Sequence, residues 1–222
     1  MLTRLAIFDL DGTLIDSLGD LADAMNAVLE DRDYQVHPRD RYRHFVGDGI
    51  EMLVRRALPP EVVNKSSVAE FVDLMRQEYS TRWLSTTRPF PEIPQLLSEL
   101  ESRGIRSAVL SNKPDGPTRE IVGELFPDDT FAIVRGARDG VPLKPNATSA
   151  LEVASELGIN SELSVFVGDT SIDMKTGRNA GMRTVGVTWG FRDTEELLDN
   201  GAEHIIETPL QLLEIVGAWN PG

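Results

Sequence analysis

From about residue 93 to the C-terminus, helical and extended patterns alternate, and this alternation confines the chain to one fold class. A helix predicted at about 93 to 103 ends at Gly104 and is followed by the strand RSAVL (106 to 110) and a helix at about 115 to 125. AIVRG (132 to 136), a helix at about 146 to 157 closed by Gly158, LSVFVG (163 to 168) and a helix at about 172 to 180 continue the series. TVGV (184 to 187), a helix near 193 to 199, HII (204 to 206) and a last helix at about 209 to 216 complete it. Strands separated by helix-length segments pair in parallel through crossovers rather than as hairpins. The expectation is therefore α/β, a doubly wound, Rossmann-like parallel sheet with helices on both faces. Ligands of such sheets bind beyond the carboxyl ends of the strands.

The first strand of the series is at the N-terminus, in LAIFDLDGTL (5 to 14). Leu5, Ala6, Ile7 and Phe8 form a continuous apolar run, as expected of a strand buried on both faces. The run ends in Asp9 and Asp11, which share a side if the extended conformation persists, and the chain turns at Gly12. Two crowded carboxylates ask for a cation or a shared proton. The plain alternative is a strand end with solvated acids. Beyond it, Asp16-Ser17 precedes apolar positions Leu18, Leu21, Ala22, Met25, Val28 and Leu29, an N-capped amphipathic helix. Helical patterns follow at 50 to 58 and, after Pro59-Pro60, at about 68 to 84, with no strand pattern between 16 and 86. The expected domains are an α/β core of residues 1–15 and 87–222 and a helical insertion at 16–86. Within the insertion, Gly47, Asp48 and Gly49 form a turn before a helix, a place for an anion or simply a helix start.

Polar residues fall where the core strands end. Ser111 and Asn112 follow RSAVL, and Asp169, Thr170 and Asp173 follow LSVFVG. Asp169 and Asp173, four apart, meet on a first helical turn, although GDTSID also reads as an N-capped helix and Ser111 as a bland turn residue. If Asp9, Asp11, Asp169 and Asp173 gather, their pKa values rise or a hard divalent cation enters. Mg²⁺ fits best, since it accepts one or two carboxylates, a carbonyl and waters, and completes its shell with substrate phosphate. The chain has no cysteine and three scattered histidines (His37, His44, His204), so a metal must be held by oxygen. A net charge of -14 and a pI near 4.6 disfavour nucleic-acid and anionic-membrane partners, which need basic faces. An anionic substrate then depends on local positive charge. Lys144, in PLKPNA, is the favoured source, with Lys113 ranked below it. No apolar stretch approaches the roughly 18 residues of a membrane span, and the first strand starts too early for a signal peptide, so the cytoplasm is the expected compartment.

In this order, FDLDGTL, VLSNK, LKP and VGDTSID resemble the four motifs of the haloacid dehalogenase-like hydrolase superfamily, over essentially the whole chain. The resemblance implies that the helical insertion is a cap over the site. It implies that Asp9 is a nucleophile forming an aspartyl-phosphate and that Asp11 is the general acid and base. Asp9, the main-chain carbonyl of Asp11 and Asp169 match the Mg²⁺ ligands, with Asp173 in support. Ser111, Asn112 and Lys144 match the phosphate-binding positions, and Gly12, Thr13 and Thr170 supporting ones, Thr13 orienting the acid. Asp11 sets the chain apart from the superfamily's dehalogenases and ion-pumping ATPases. VGDGIEMLVRRAL, SNKP and TWG (Thr188 to Gly190) look like the phosphoglycolate phosphatase branch. Gly47, Asp48 and Gly49 are the candidate cap contacts to substrate, with Arg43 and His44 as further candidates beside ordinary surface positions. Residues 145–149 depart from that branch. The implied activity is Mg²⁺-dependent hydrolysis of a small, phosphoglycolate-like phosphomonoester. A phosphosugar mutase, a pyrophosphatase or a non-catalytic phosphate-sensing module are the alternatives.

Overall fold

The structure, a computed structural model, describes residues 4–217. The chain divides into two compact units, one made of the segment up to Ile15 with the chain from Pro89 on, the other of Asp16–Arg88.

The first unit is built on six parallel strands. They are β1 (Arg4–Phe8), β4 (Ile105–Pro114), β5 (Ile133–Ala137), β6 (Ser164–Gly168), β7 (Arg183–Val187) and β8 (His204–Ile206), in the order β5-β4-β1-β6-β7-β8. The intervening helices are α4 (Ile93–Ser102), α5 (Asp115–Leu125), α6 (Thr148–Glu156), α7 (Ser171–Asn179), α8 (Thr194–Asp199) and α9 (Leu212–Gly217). In β1 both side-chain parities are buried, Leu5, Ala6 and Ile7 at 0% exposure and Phe8 at 1%, so both faces of the sheet are covered. Leu5 and Ile7 meet Ala108, Leu110 and Phe166 of the neighbouring strands and Ala150, Val153 and Ala154 of α6. Each such large side chain contributes about 1.5–3 kcal/mol when fully buried. The central position of β1 matters for the site. Phe8 is in register with Val109 on one side and Val167 on the other, so the residues just past these three strands emerge together at one edge.

In this unit several boundaries differ from the sequence pattern. β4 runs on to Pro114 instead of stopping at residue 110, its register shifting between Leu110 and Pro114, because the residue before a proline is held out of the helical region. The segment at 209 to 216 is a 3₁₀ turn, Pro209–Gln211, followed by α9, with Gln211 Oε1 accepting from the main-chain N–H groups of Glu207 and Thr208. α6 begins at Thr148, after the turn in which Asn146 N donates to Leu143 O.

The second unit is helical: α1 (Leu18–Asp31), α2 (Ile50–Ala57) and α3 (Lys65–Ser80), with α3 in contact with both α1 and α2. α3 ends at Ser80, four residues before the periodicity does, in turns closed by Tyr79 O. A 3₁₀ helix, Arg39–His44, has no apolar periodicity to announce it. It is pinned by one residue, Tyr42, which is fully buried, donates to Asn26 Oδ1 (2.7 Å) and meets His37 and Phe45 edge-on. The unit is also closed on itself by Asp20, 1% exposed, whose carboxylate accepts the N–H and hydroxyl groups of Thr86 and Thr87 at 2.6–3.0 Å. Where the chain passes between units, β2 (Ile15–Asp16) and β3 (Arg88–Pro89) pair as a two-stranded ribbon. Among the described residues no helix is long and apolar enough to cross a membrane.

Candidate active site

The edge of the sheet beyond β1, β4 and β6 carries the polar residues that the sequence placed after those strands. Asp9 N donates to Val167 O (3.0 Å), extending the β1–β6 ladder by one residue. The chain then turns at Gly12, whose φ of 90° is a left-handed conformation that other residues adopt at a cost. Asp9 (6% exposed), Asp169 and Asp173 (both 0%) converge so that one oxygen from each lies within 4.8 Å of the others. Four acids cannot share a buried edge without compensation, and two lysines meet them. Lys144 Nζ stands 2.8 Å from Asp9 Oδ1 and 2.7 Å from Asp173 Oδ1. Lys113 Nζ stands 3.3 Å from Asp11 Oδ2. Of the two candidate cations, Lys144 is thus the one embedded among the clustered carboxylates.

Lys144 arrives on a loop, and the loop is held by Asn112. The Asn112 side chain accepts from Lys144 N (2.9 Å) and donates to Lys144 O (3.2 Å), a two-point clamp that fixes the lysine backbone to the end of β4. Asn112 therefore positions Lys144. Ser111, 5% exposed, accepts from Lys113 N at its Oγ (3.1 Å). Thr170 N and Oγ1 both donate to Asp173 Oδ2 (3.1 and 2.8 Å), so Asp173 caps the start of α7 with one oxygen and pairs with Lys144 through the other. The Thr13 hydroxyl, expected to orient Asp11, donates to Asp169 Oδ1 (3.0 Å).

Two contributors were not legible as site residues. Phe191 N–H donates to Asp169 Oδ2 (2.8 Å). Gly190 lies against the same side chain, and a Cβ there would stand 2.2 Å from Asp169 Cβ. The TWG sequence after β7 was their only signal. Trp189 fastens that loop by donating from Nε1 to Thr13 O (3.0 Å). The turn at Gly47, Asp48 and Gly49 belongs to the helical unit, where Asp48 pairs with Arg56 (2.5 Å), and Arg43 and His44 are exposed there.

Electrostatically the cluster is short of positive charge. Burial, reinforced by Asp173 and Asp11 and opposed by Lys144, pushes the Asp9 carboxyl up to about 7. Burial and the charges of Asp173 and Asp9 push Asp169 well above the carboxylate range, against the hydrogen bonds from Phe191 N and Thr13. Burial works against the Lys144 ammonium, but Asp173 and Asp9 outweigh it and hold it above the usual lysine value. One embedded ammonium among three buried carboxylates leaves a deficit that a divalent cation would fill. The donors are all hard oxygens, which fits Mg²⁺ and excludes a thiolate or imidazole centre at this cluster.

A family model described as haloacid dehalogenase-like hydrolase matches residues 6–187. The chain is 32% identical over 219 residues to a phosphoglycolate phosphatase of Aquifex aeolicus, covering 92% of this chain and 99% of that protein. It is 36% identical over 201 residues to a phosphoglycolate phosphatase of Psychrobacter arcticus, covering 87% of each. A crystal structure of a candidate phosphoglycolate phosphatase from Lactobacillus delbrueckii subsp. bulgaricus superposes with a TM-score of 0.91 at 30% identity, covering 97% of this chain and 99% of that one.

Proposed function

Because the chain belongs to the haloacid dehalogenase-like hydrolase family, we propose that it is a Mg²⁺-dependent phosphatase that hydrolyses a small phosphomonoester through an aspartyl-phosphate on Asp9, with phosphoglycolate as the leading substrate. The observation that carries the reading is the buried, oxygen-only cluster of Asp9, Asp169 and Asp173 with Lys144 set between two of its members. The choice of phosphoglycolate rests on the relatives that bear that name.

In this reading Asp9 attacks phosphorus, and the bond from phosphorus to the leaving oxygen breaks as Asp11 gives that oxygen its proton. Asp11, now a carboxylate, takes a proton from water, which attacks the phosphoryl group, freeing inorganic phosphate and restoring Asp9. Ser111 and Lys144 hold the non-bridging oxygens, where charge stabilisation does most of the catalytic work. Asp9, the Asp11 carbonyl and Asp169, with Asp173 behind them, would hold Mg²⁺, which supplies positive charge to those oxygens. The helical unit is assigned the role of a cap, with Gly47, Asp48 and Gly49 as its candidate substrate contacts, by resemblance to the family. The substrate is a dissolved cytoplasmic metabolite, and neither nucleic acid nor membrane is a partner.

The test is phosphate release from phosphoglycolate, sugar phosphates, nucleoside monophosphates and pyrophosphate, side by side, with Mg²⁺ and with chelator. Metal-dependent release, greatest from phosphoglycolate, is expected. Isomerisation of a sugar phosphate without phosphate release would replace hydrolysis by mutase chemistry, and silence across the panel would sink the enzymatic reading.

A further inference from the structure

The mechanism gives Lys113 no task, yet the fold takes trouble to place it. Its side chain is 9% exposed, drawn out of solvent to stand beside Asp11, which is itself only 18% exposed. Both of its main-chain groups are engaged: Lys113 N donates to Ser111 Oγ, and Lys113 O accepts from the Thr118 hydroxyl (3.1 Å), which is completely buried. β5 approaches so closely that a Cβ on Gly136 would stand 2.5 Å from Lys113 O. A lysine anchored at its backbone and desolvated at its head is aimed, whereas surface lysines keep the ammonium in water. The chain has only four lysines against 36 acidic residues, and two of the four are at this site.

The role of Asp11 fixes what Lys113 faces. A general acid must come within about 2.6–3.2 Å of the leaving oxygen. Atoms two bonds beyond that oxygen, on the departing side, therefore fall in the neighbourhood of the Asp11 carboxylate, which is where the Lys113 ammonium stands. In the phosphate ester of a short 2-hydroxy acid, the atom two bonds out is the carboxylate carbon. A third negative charge would be repelled by a site with four acids in a chain of net charge -14, unless a fixed cation met it. Lys144 is already committed to Asp9 and Asp173.

We infer that Lys113 is the specificity residue that receives the carboxylate of the leaving group, selecting phosphate esters of short hydroxy acids over those of neutral alcohols. The inference rests on the phosphatase reading and deepens it. The experiment compares 2-phosphoglycolate with 2-hydroxyethyl phosphate, in which a neutral hydroxymethyl group replaces the carboxylate, for the wild type, Lys113→Gln and Lys113→Arg. Both esters use Asp9 and Asp11, so any effect of the substitution on the general acid cancels in the ratio of their kcat/KM values. The wild type should favour the carboxylate ester at least about tenfold, and Lys113→Gln should reduce that ratio about ten- to a hundredfold, the range expected for one charge-assisted contact. The loss should be mainly in KM, because a contact to a non-reacting group is made equally in ground and transition states, and Lys113→Arg should keep most of the preference.

Equal losses on both esters in Lys113→Gln would overturn the inference and leave Lys113 as a partner of Asp11 alone. A wild type without preference would also overturn it, while leaving the phosphatase standing. Turnover of neither ester, nor of any other on the panel, would remove the phosphatase reading and this inference with it. Should Lys113→Gln fail to fold, the wild-type ratio and Lys113→Arg decide.

Discussion

Asp9→Asn should destroy turnover and, in the absence of metal, make the protein more stable. Burial among Asp173 and Asp11 raises the Asp9 carboxyl from 3.8 to about 7, even with Lys144 opposing. A group whose folded pKa is raised favours folding in its protonated form. Its contribution is intact below the unfolded value of 3.8 and is lost as pH climbs through the folded value of about 7. The interval of roughly three units, at about 1.4 kcal/mol each, amounts to about 4 kcal/mol of destabilisation above neutrality. An uncharged amide escapes that cost, so Asp9→Asn should gain about 2–4 kcal/mol at pH 8, the lower figure allowing for relaxation around the exchanged group. For a chain of this length that is about 4–16 °C in Tm. The assay is thermal unfolding of both proteins in chelator from pH 4 to pH 8, beside phosphate release with Mg²⁺. The stability gap should open as pH rises and nearly close at pH 4. A variant less stable than the wild type at pH 8, or a gap indifferent to pH, would refute the electrostatic reasoning, and near-normal metal-dependent turnover would remove Asp9 as nucleophile.

Asp20→Ala removes the acceptor of four hydrogen-bond donors, stranding the N–H and hydroxyl of fully buried Thr87 while those of exposed Thr86 turn to water, and should cost about 3 kcal/mol, or about 6–12 °C in Tm. Burial raises the Asp20 carboxyl, but the hydrogen bonds from Thr86 and Thr87 outweigh it and hold it below 3.8, so its contribution is present above that pH and is lost as pH falls through the depressed value. Melts of variant and wild type should converge in strong acid, and coincident melts at pH 7 would show the buried carboxylate to be dispensable. Gly190→Ala drives a Cβ into Asp169 and should raise the Mg²⁺ concentration for half-maximal activity at least about tenfold while the far-ultraviolet spectrum is unchanged. An unchanged Mg²⁺ requirement would mean that Asp169 shifts at no cost to metal binding.

What the sequence disclosed and what it withheld divide along a physical line. The six core strands and their order along the chain were legible because parallel strands buried on both faces must be apolar throughout, as in LAIF and SVFVG. Asp9, Asp11, Asp169 and Asp173 were legible because acids at the ends of such runs need a reason, and Ser111 because it follows the apolar run of another strand of the same sheet. The 3₁₀ helix at Arg39–His44 was not, since a single buried tyrosine creates no periodicity. Nor was the tie from Asp20 to Thr86 and Thr87, whose partners are 66 and 67 residues away. At the site itself, Lys144 was ranked above Lys113 as the cation, but the separate place of Lys113 beside Asp11 was not legible, because the two lysines divide the acids by position. The Asn112 clamp sets the Lys144 backbone beside β4, and the embrace of Lys113 by Ser111 and Thr118 directs the other lysine to Asp11. Phe191 was least visible of all, because it serves through an N–H that every residue but proline possesses. Reacting groups are announced by their chemistry. The groups that aim them are main-chain atoms and clearances such as Gly190 and Gly136, so a homologous site can keep every motif and still change its substrate by shifting a loop.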